Sequence, residues 1–116
     1  MTSGMIVYVF CQDLDALRRF YETATGITGQ TAGPNWVSFP LGGAKFALHR
    51  QLPDDPQDPA PFRVDFLVDD LEEALATFED AGARVVRGVQ DEAFGRSAIL
   101  HDPEGREFTL VQEELG

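Results

Sequence analysis

Residues 6–26, IVYVFCQDLDALRRFYETATG, lie over residues 63–83, RVDFLVDDLEEALATFEDAGA, at a constant offset. Val7 falls on Val64, Asp13 on Asp70, Leu14 on Leu71, Glu22 on Glu79 and Ala24 on Ala81, with Tyr21 on Phe78. After a small change of register the match resumes, and Gly43 to Leu48 lies over Gly105 to Leu110. A copy of about fifty residues buries too little surface to hold an adequate core alone, so the two copies are expected to complete one another.

Each copy reads as β-α-β-β-β. Met5 to Cys11 is β-branched and aromatic, as a buried strand requires. Asp13 is placed to cap a helix running through Tyr21, with Leu14, Leu17, Phe20 and Tyr21 at helical spacing and Gly26 at its end. A short strand is expected near Thr28–Thr31. Trp36–Phe39 and Lys45–His49 are then two strands joined by a turn at Pro40 to Gly43. In the second copy Arg63–Val68 is a strand. Asp70 and Glu73 form a capping box for a helix carrying Leu71, Ala74, Leu75 and Phe78, closed by Gly82. Arg84–Val86, Ser97–Leu100 and Glu107–Val111 complete it, with Gln90 to Arg96 as a turn-like stretch. Gln51 to Pro61 holds prolines at 53, 56, 59 and 61 with three aspartates, which predicts an extended, solvated linker.

The chain of 116 residues is one domain's worth. It divides into module one (about 5–50), the linker (51–61) and module two (62–113). A single cysteine, Cys11, excludes an internal disulfide and a cysteine metal cluster. Its position predicts a buried, helix-facing thiol. No basic leader or membrane-length apolar run is present, and a cytoplasmic protein without membrane partners is the simplest expectation. The net charge of −11 is uneven. Residues 1–50 carry four basic and three acidic side chains, whereas residues 62–116 carry five and fourteen. Such a chain is repelled by nucleic acid. It either attracts a cationic ligand or simply keeps itself soluble.

Two tandem β-α-β-β-β modules, Asp-Leu helix starts and the turn Asp102-Pro103-Glu104-Gly105 before the last strand resemble the vicinal oxygen chelate superfamily. This group includes glyoxalase I, extradiol dioxygenases, methylmalonyl-CoA epimerase, fosfomycin thiol transferases and bleomycin-resistance proteins. The resemblance covers nearly the whole chain. It implies an α+β fold in which the modules form a curved, cup-like mixed sheet with helices on the outer face. It also implies a two-fold homodimer and a small-molecule ligand on the concave side.

Metal-dependent members of that superfamily place His, Glu or Gln on the first and last strands of each module. The matching positions here are Ile6, Ala47, Arg63 and Thr109, none a good ligand. A guanidinium about 4 Å from a divalent cation would be disfavoured by roughly 8 kcal/mol at an effective dielectric of 20, and arginine cannot escape by losing its proton. No metal or other cofactor is therefore expected at the usual place. A displaced site could draw on His49, Asp65 and Glu107, which share strand faces with Ala47, Arg63 and Thr109.

By the same parity Ile6, Tyr8 and Phe10 share one face, and Val7, Val9 and Cys11 the other. Ligand-binding candidates are Tyr8, Phe10, Trp36, His49, Arg63, Asp65, Phe94 and Thr109. The bland alternative makes the aromatics core and lets Arg63 neutralise Glu107. Two functions follow. One is a metal-independent binder of an aromatic or cationic small molecule, similar to the bleomycin-resistance branch, with antibiotic resistance as its biological sense. The other is a lyase, isomerase or dioxygenase with a displaced metal, or a metal-free variant with Glu107 or Asp65 as general base.

Overall fold

The computed structural model describes residues 4–55 and 64–114. The backbone separates into two compact units, residues 1–59 and 60–116. The first contains β1 (Met5–Cys11), α1 (Leu14–Thr25), β2 (Gln30–Thr31), β3 (Trp36–Leu41) and β4 (Ala44–Arg50). The second contains β5 (Asp65–Leu67), α2 (Leu71–Ala81), β6 (Arg84–Glu92), β7 (Gly95–His101) and β8 (Glu107–Glu113). Each forms a four-stranded mixed sheet, in the orders β1-β4-β3-β2 and β5-β8-β7-β6. The fold is α+β, built from two β-α-β-β-β modules, as the repeat predicts.

Register carries the repeat into three dimensions. β1 runs parallel to β4 with Tyr8 opposite Ala47. β5 runs parallel to β8 with Asp65 opposite Thr109. Residues that superpose in sequence thus occupy equivalent rungs of the two sheets.

Both helices start and stop where the sequence places them. The Asp13 carboxylate accepts from the Ala16 N–H at 3.0 Å, and that of Asp70 from the Glu73 N–H at 3.1 Å. Each satisfies an amide that the first turn leaves without an intrahelical partner. At the far end of α1 the chain turns at Gly26 with φ +73°, a left-handed conformation that a side chain would oppose. In the first unit Leu17, Phe20 and Tyr21 of α1 are buried against one face of the sheet, where Val37, Phe39, Phe46 and Leu48 are also buried. The Tyr21 ring lies 5.0 Å from Phe46 and 6.1 Å from Phe39. In the second unit Phe66, Phe78 and Phe108 form a triangle of rings 5.4–6.3 Å apart. Each buried aromatic ring contributes about 2 kcal/mol through the apolar area it removes from water. Cys11 is buried, as its parity predicts.

Three local expectations need correction. Residues 51–55 are not extended. The Gln51 N–H bonds to the Cys11 carbonyl at 2.8 Å, and Leu52 and Asp55 close a turn in which the Asp55 carboxylate accepts from the Leu52 N–H at 2.8 Å. Aspartate's tendency to bond nearby backbone overrides the proline signal there. The rest of the linker, and Arg63 with it, lies outside the described residues. Second, Gln90 to Arg96 is no open stretch, because β6 continues to Glu92 and β7 begins at Gly95. At its start β7 also packs tightly on β8, because residue 95 is glycine at φ +143°, where a side chain would collide with the Gln112 backbone oxygen. Third, β5 is shorter than Arg63–Val68. Its neighbours still pair, with the Val68 N–H on the Val111 carbonyl at 2.9 Å and the Thr109 N–H on the Val64 carbonyl at 3.0 Å.

Candidate ligand-binding face

The sheet of the first unit has one face against α1 and one that α1 does not cover. Register assigns the second face. β1 contributes Ile6, Tyr8 and Phe10, opposite Lys45, Ala47 and His49 of β4. β3 contributes Trp36, Ser38 and Pro40 to the same rungs, and β2 adds Gln30 beside Ser38. Four of these side chains form a ring cluster. Tyr8 lies 5.7 Å from Phe10, 5.6 Å from Trp36 and 6.2 Å from His49, and His49 lies 5.1 Å from Phe10 and 6.1 Å from Trp36. Tyr8 and Trp36 stand on strands either side of β4, so their contact spans it. That is possible because β4 carries only a methyl group at Ala47, which is fully buried.

This cluster is not core. Tyr8 is 50% exposed and Ile6 51%, whereas the rings facing α1 are buried. An apolar surface of this kind, left open beside polar tips, is what a small aromatic ligand requires. His49 adds orientation. Its Nδ1 is 2.7 Å from the Arg50 carbonyl, which can only accept, so the proton is on Nδ1. In the neutral ring the Nε2 lone pair remains available as an acceptor. Asp55 lies 3.8 Å from Nδ1.

The uncovered face of the second sheet has a different chemistry. Asp65, Thr109 and Ile99 share a rung. On the neighbouring rung Arg84, His101 and Glu107 stand side by side on β6, β7 and β8. Arg84 donates to His101 Nδ1 at 3.0 Å, which leaves the ring proton on Nε2, 3.9 Å from the Glu107 carboxylate. Glu107 is exposed and meets a histidine rather than apolar walls. Further along, Arg87 donates to the buried Ser97 hydroxyl at 2.8 Å, and Ser97 donates to Glu92 at 3.2 Å. Phe94 occupies the β6–β7 turn at 45% exposure. Of the residues singled out in the sequence, Tyr8, Phe10, Trp36 and His49 are brought together in the first unit. Asp65, Thr109 and Glu107 share one sheet face in the second, with Phe94 at the far end of a hairpin. Sequence reasoning missed Arg84 and His101 as neighbours of Glu107. The repeat sets the β7–β8 hairpin over β3–β4 but at its own offset would put Asp102 opposite Glu107; the longer β7–β8 turn shifts the partner to His101.

On the helix side of the second sheet, Arg96 donates to Glu72 through both terminal nitrogens, one at 2.9 Å, and to Gln112 at 3.0 Å. Gln112 in turn accepts from the Leu71 N–H at 2.8 Å, tying β7 and β8 to the start of α2. The hydrogen bond from Arg96 is the main cause holding the Glu72 carboxyl below its ordinary value. An acid depressed in the fold stabilises it above the unfolded-state pKa and loses that contribution as pH falls through the folded value. Both groups reach solvent, so the contribution is small. In Arg96→Gln, melting temperature should fall less steeply between about pH 5 and pH 3 than in the parent chain. A calorimetric pH series checks this, and parallel curves would contradict it.

The usual metal positions of the resembling superfamily can be tested on donor chemistry. Ile6 and Ala47 carry no lone pair, and the register fills their surroundings with Lys45 and Tyr8. Thr109 offers one neutral hydroxyl and Arg63 is a cation. These residues do not fit a divalent ion. Within their own units, the displaced candidates have other partners: His49 has Arg50 and Asp55, and Glu107 has His101.

The glyoxalase-like domain family matches residues 5–111. No protein of curated function matches the chain. Among solved structures it is similar to a glyoxalase/bleomycin resistance protein/dioxygenase family enzyme from Burkholderia phytofirmans PsJN. That likeness has a TM-score of 0.80 at 20% identity and covers 94% of this chain and 97% of the other. TioX from Micromonospora sp. ML1 superposes with a TM-score of 0.76 at 21% identity, covering 97% and 99%. A glyoxalase/bleomycin resistance protein from Albidiferax ferrireducens T118 does so with 0.74 at 20% identity, covering 94% and 98%. At these identities the likeness concerns the fold. With the family match spanning both modules and the β-α-β-β-β repeat laid out in register, the chain belongs to the glyoxalase-like family of the vicinal oxygen chelate superfamily.

Proposed function

We propose that this protein is a metal-independent binder of an aromatic or cationic small molecule, held on the uncovered face of the first sheet. The observation that carries the reading is the partly exposed cluster of Tyr8, Phe10, Trp36 and His49, in which Tyr8 and His49 each lie within 5.1–6.2 Å of the other three rings, on a face their own helix leaves open. Flat rings stack on such a surface, and a cation is attracted to its π faces. The donor-poor set Ile6, Ala47 and Thr109 supports a mode of binding that uses no metal. Trp36 is the sole tryptophan, so its emission reports on the cluster directly. A saturable change in that emission with a flat aromatic probe, unaltered by chelator, is the expected result. No change with any flat or cationic probe would contradict the reading.

A second reading rests on the Arg84–His101–Glu107 rung. A carboxylate beside a histidine that carries its proton on Nε2 has the makings of an acid–base pair for a lyase or isomerase. Here Glu107→Gln should abolish turnover while leaving the fold intact. The binding reading expects the same variant to retain ligand affinity within about twofold, since the ring contacts of Tyr8, Phe10, Trp36 and His49 do not involve Glu107.

The family resemblance also carries a homodimer in solution. Light scattering at micromolar protein should give twice the 12.8 kDa chain mass. A monomeric mass would remove the dimer from the account.

A further inference from the structure

We infer that the ligand of the first sheet is an aromatic anion, a flat ring bearing a carboxylate or similar acidic group. This rests on the binding face proposed above and chooses between the ligand classes that reading leaves open. The argument turns on Lys45. It is the sole lysine of the chain, it is exposed, and it has no ion-pair partner among the described residues. Its register with Ile6 and Pro40 puts it on the same face as the ring cluster, two rungs along β4 from His49. Four residues of strand separate the two by about 13 Å, which spans a bicyclic ring with one substituent.

Among the described residues, the strands place no aspartate or glutamate on that face. Its strands supply three apolar or aromatic residues from β1, three uncharged ones from β3, the amide of Gln30, and Lys45, Ala47 and His49 from β4. The acidic groups of this unit's helix, Asp15 and Glu22, are on α1, which packs on the opposite face. Asp55, whose carboxylate is 3.8 Å from His49 Nδ1, is hydrogen-bonded to the Leu52 N–H and lies on the Nδ1 side of that ring. The net charge of −11 favours cations at long range, but it is screened beyond about 8 Å at physiological salt. Among the described residues, the strands of this face carry a single ammonium and no carboxylate of their own, so a ligand carboxylate gains a charge-assisted hydrogen bond at Lys45. A ligand ammonium meets a like charge.

A matched pair of probes tests this: 2-naphthoate and 2-(aminomethyl)naphthalene, which share a ring and differ in the sign of the charged group. Dissociation constants are measured by calorimetry on the whole chain, with the Trp36 indole N–H resonance recording whether the cluster is the site. Naphthoate should bind at least tenfold tighter than the amine, and Lys45→Gln should remove that preference without lowering the melting temperature. Equal or stronger binding of the amine at Trp36 would overturn the anion inference and leave the aromatic face standing. Naphthoate affinity unchanged in Lys45→Gln would do the same. If neither probe moves the Trp36 resonance, both the inference and the underlying binding reading fail.

Discussion

Asp102→Ala is expected to lower the unfolding free energy by about 3 kcal/mol. Asp102 is the buried acid of the Asp-Pro-Glu-Gly turn, with no exposed side-chain surface. Its Oδ1 accepts from the backbone N–H groups of Glu104 at 2.9 Å and Arg106 at 3.0 Å, and its Oδ2 accepts from the Arg106 guanidinium at 2.9 Å. Removing the carboxylate leaves two amides and a guanidinium without their acceptor. Arg106 is partly exposed and can rehydrate, so the loss is smaller than three charged hydrogen bonds would sum to. Asp102→Asn keeps an oxygen for the two amides and gives up the arginine, so about half the loss is expected. Denaturant unfolding with an unchanged m-value measures both. The turn sets the register of β7 on β8, including the rung of His101 and Glu107. If both variants stayed within about 0.5 kcal/mol of the parent, that register would be held by the strands alone.

Trp36→Ala is expected to weaken ligand binding by ten- to a hundredfold while costing the fold only about 1–2 kcal/mol. The asymmetry comes from position. Trp36 is half-buried on the uncovered face, 5.6 Å from Tyr8 and 6.1 Å from His49, and takes no part in the buried packing against α1. Truncation removes most of the stacking surface and frees Tyr8 from its partner across β4. Trp36→Phe should retain most of the affinity. A collapse in stability would make Trp36 a core residue, and unchanged affinity would place the ligand elsewhere.

The fold was legible in the sequence because its signals are local and doubled. Asp13 and Asp70 cap helices at the same phase of the repeat, and Gly26 and Gly82 end them. Strand parity was legible too, since Phe46 and Phe108 face helices while Ala47 and Thr109 do not. What the sequence hid was pairing across strands. Nothing near Tyr8 signals that its ring meets Trp36 over a methyl-sized residue, nor that Arg84 reaches His101. Both contacts depend on register between strands distant in sequence. Lys45 is inconspicuous in the sequence for a related reason. Its single charge is swamped in the net balance, and its importance lies in a register that, among the described residues, puts no acid from the strands on its face.

The most direct measurement is a backbone and side-chain NMR titration of the chelator-treated protein with 2-naphthoate. Shifts confined to Tyr8, Phe10, Trp36, Lys45 and His49, saturating without added metal, are the expected result. Shifts that appear only after a divalent ion is added, or that cluster instead around Glu107 and His101, would contradict the proposal of a metal-free aromatic binding face.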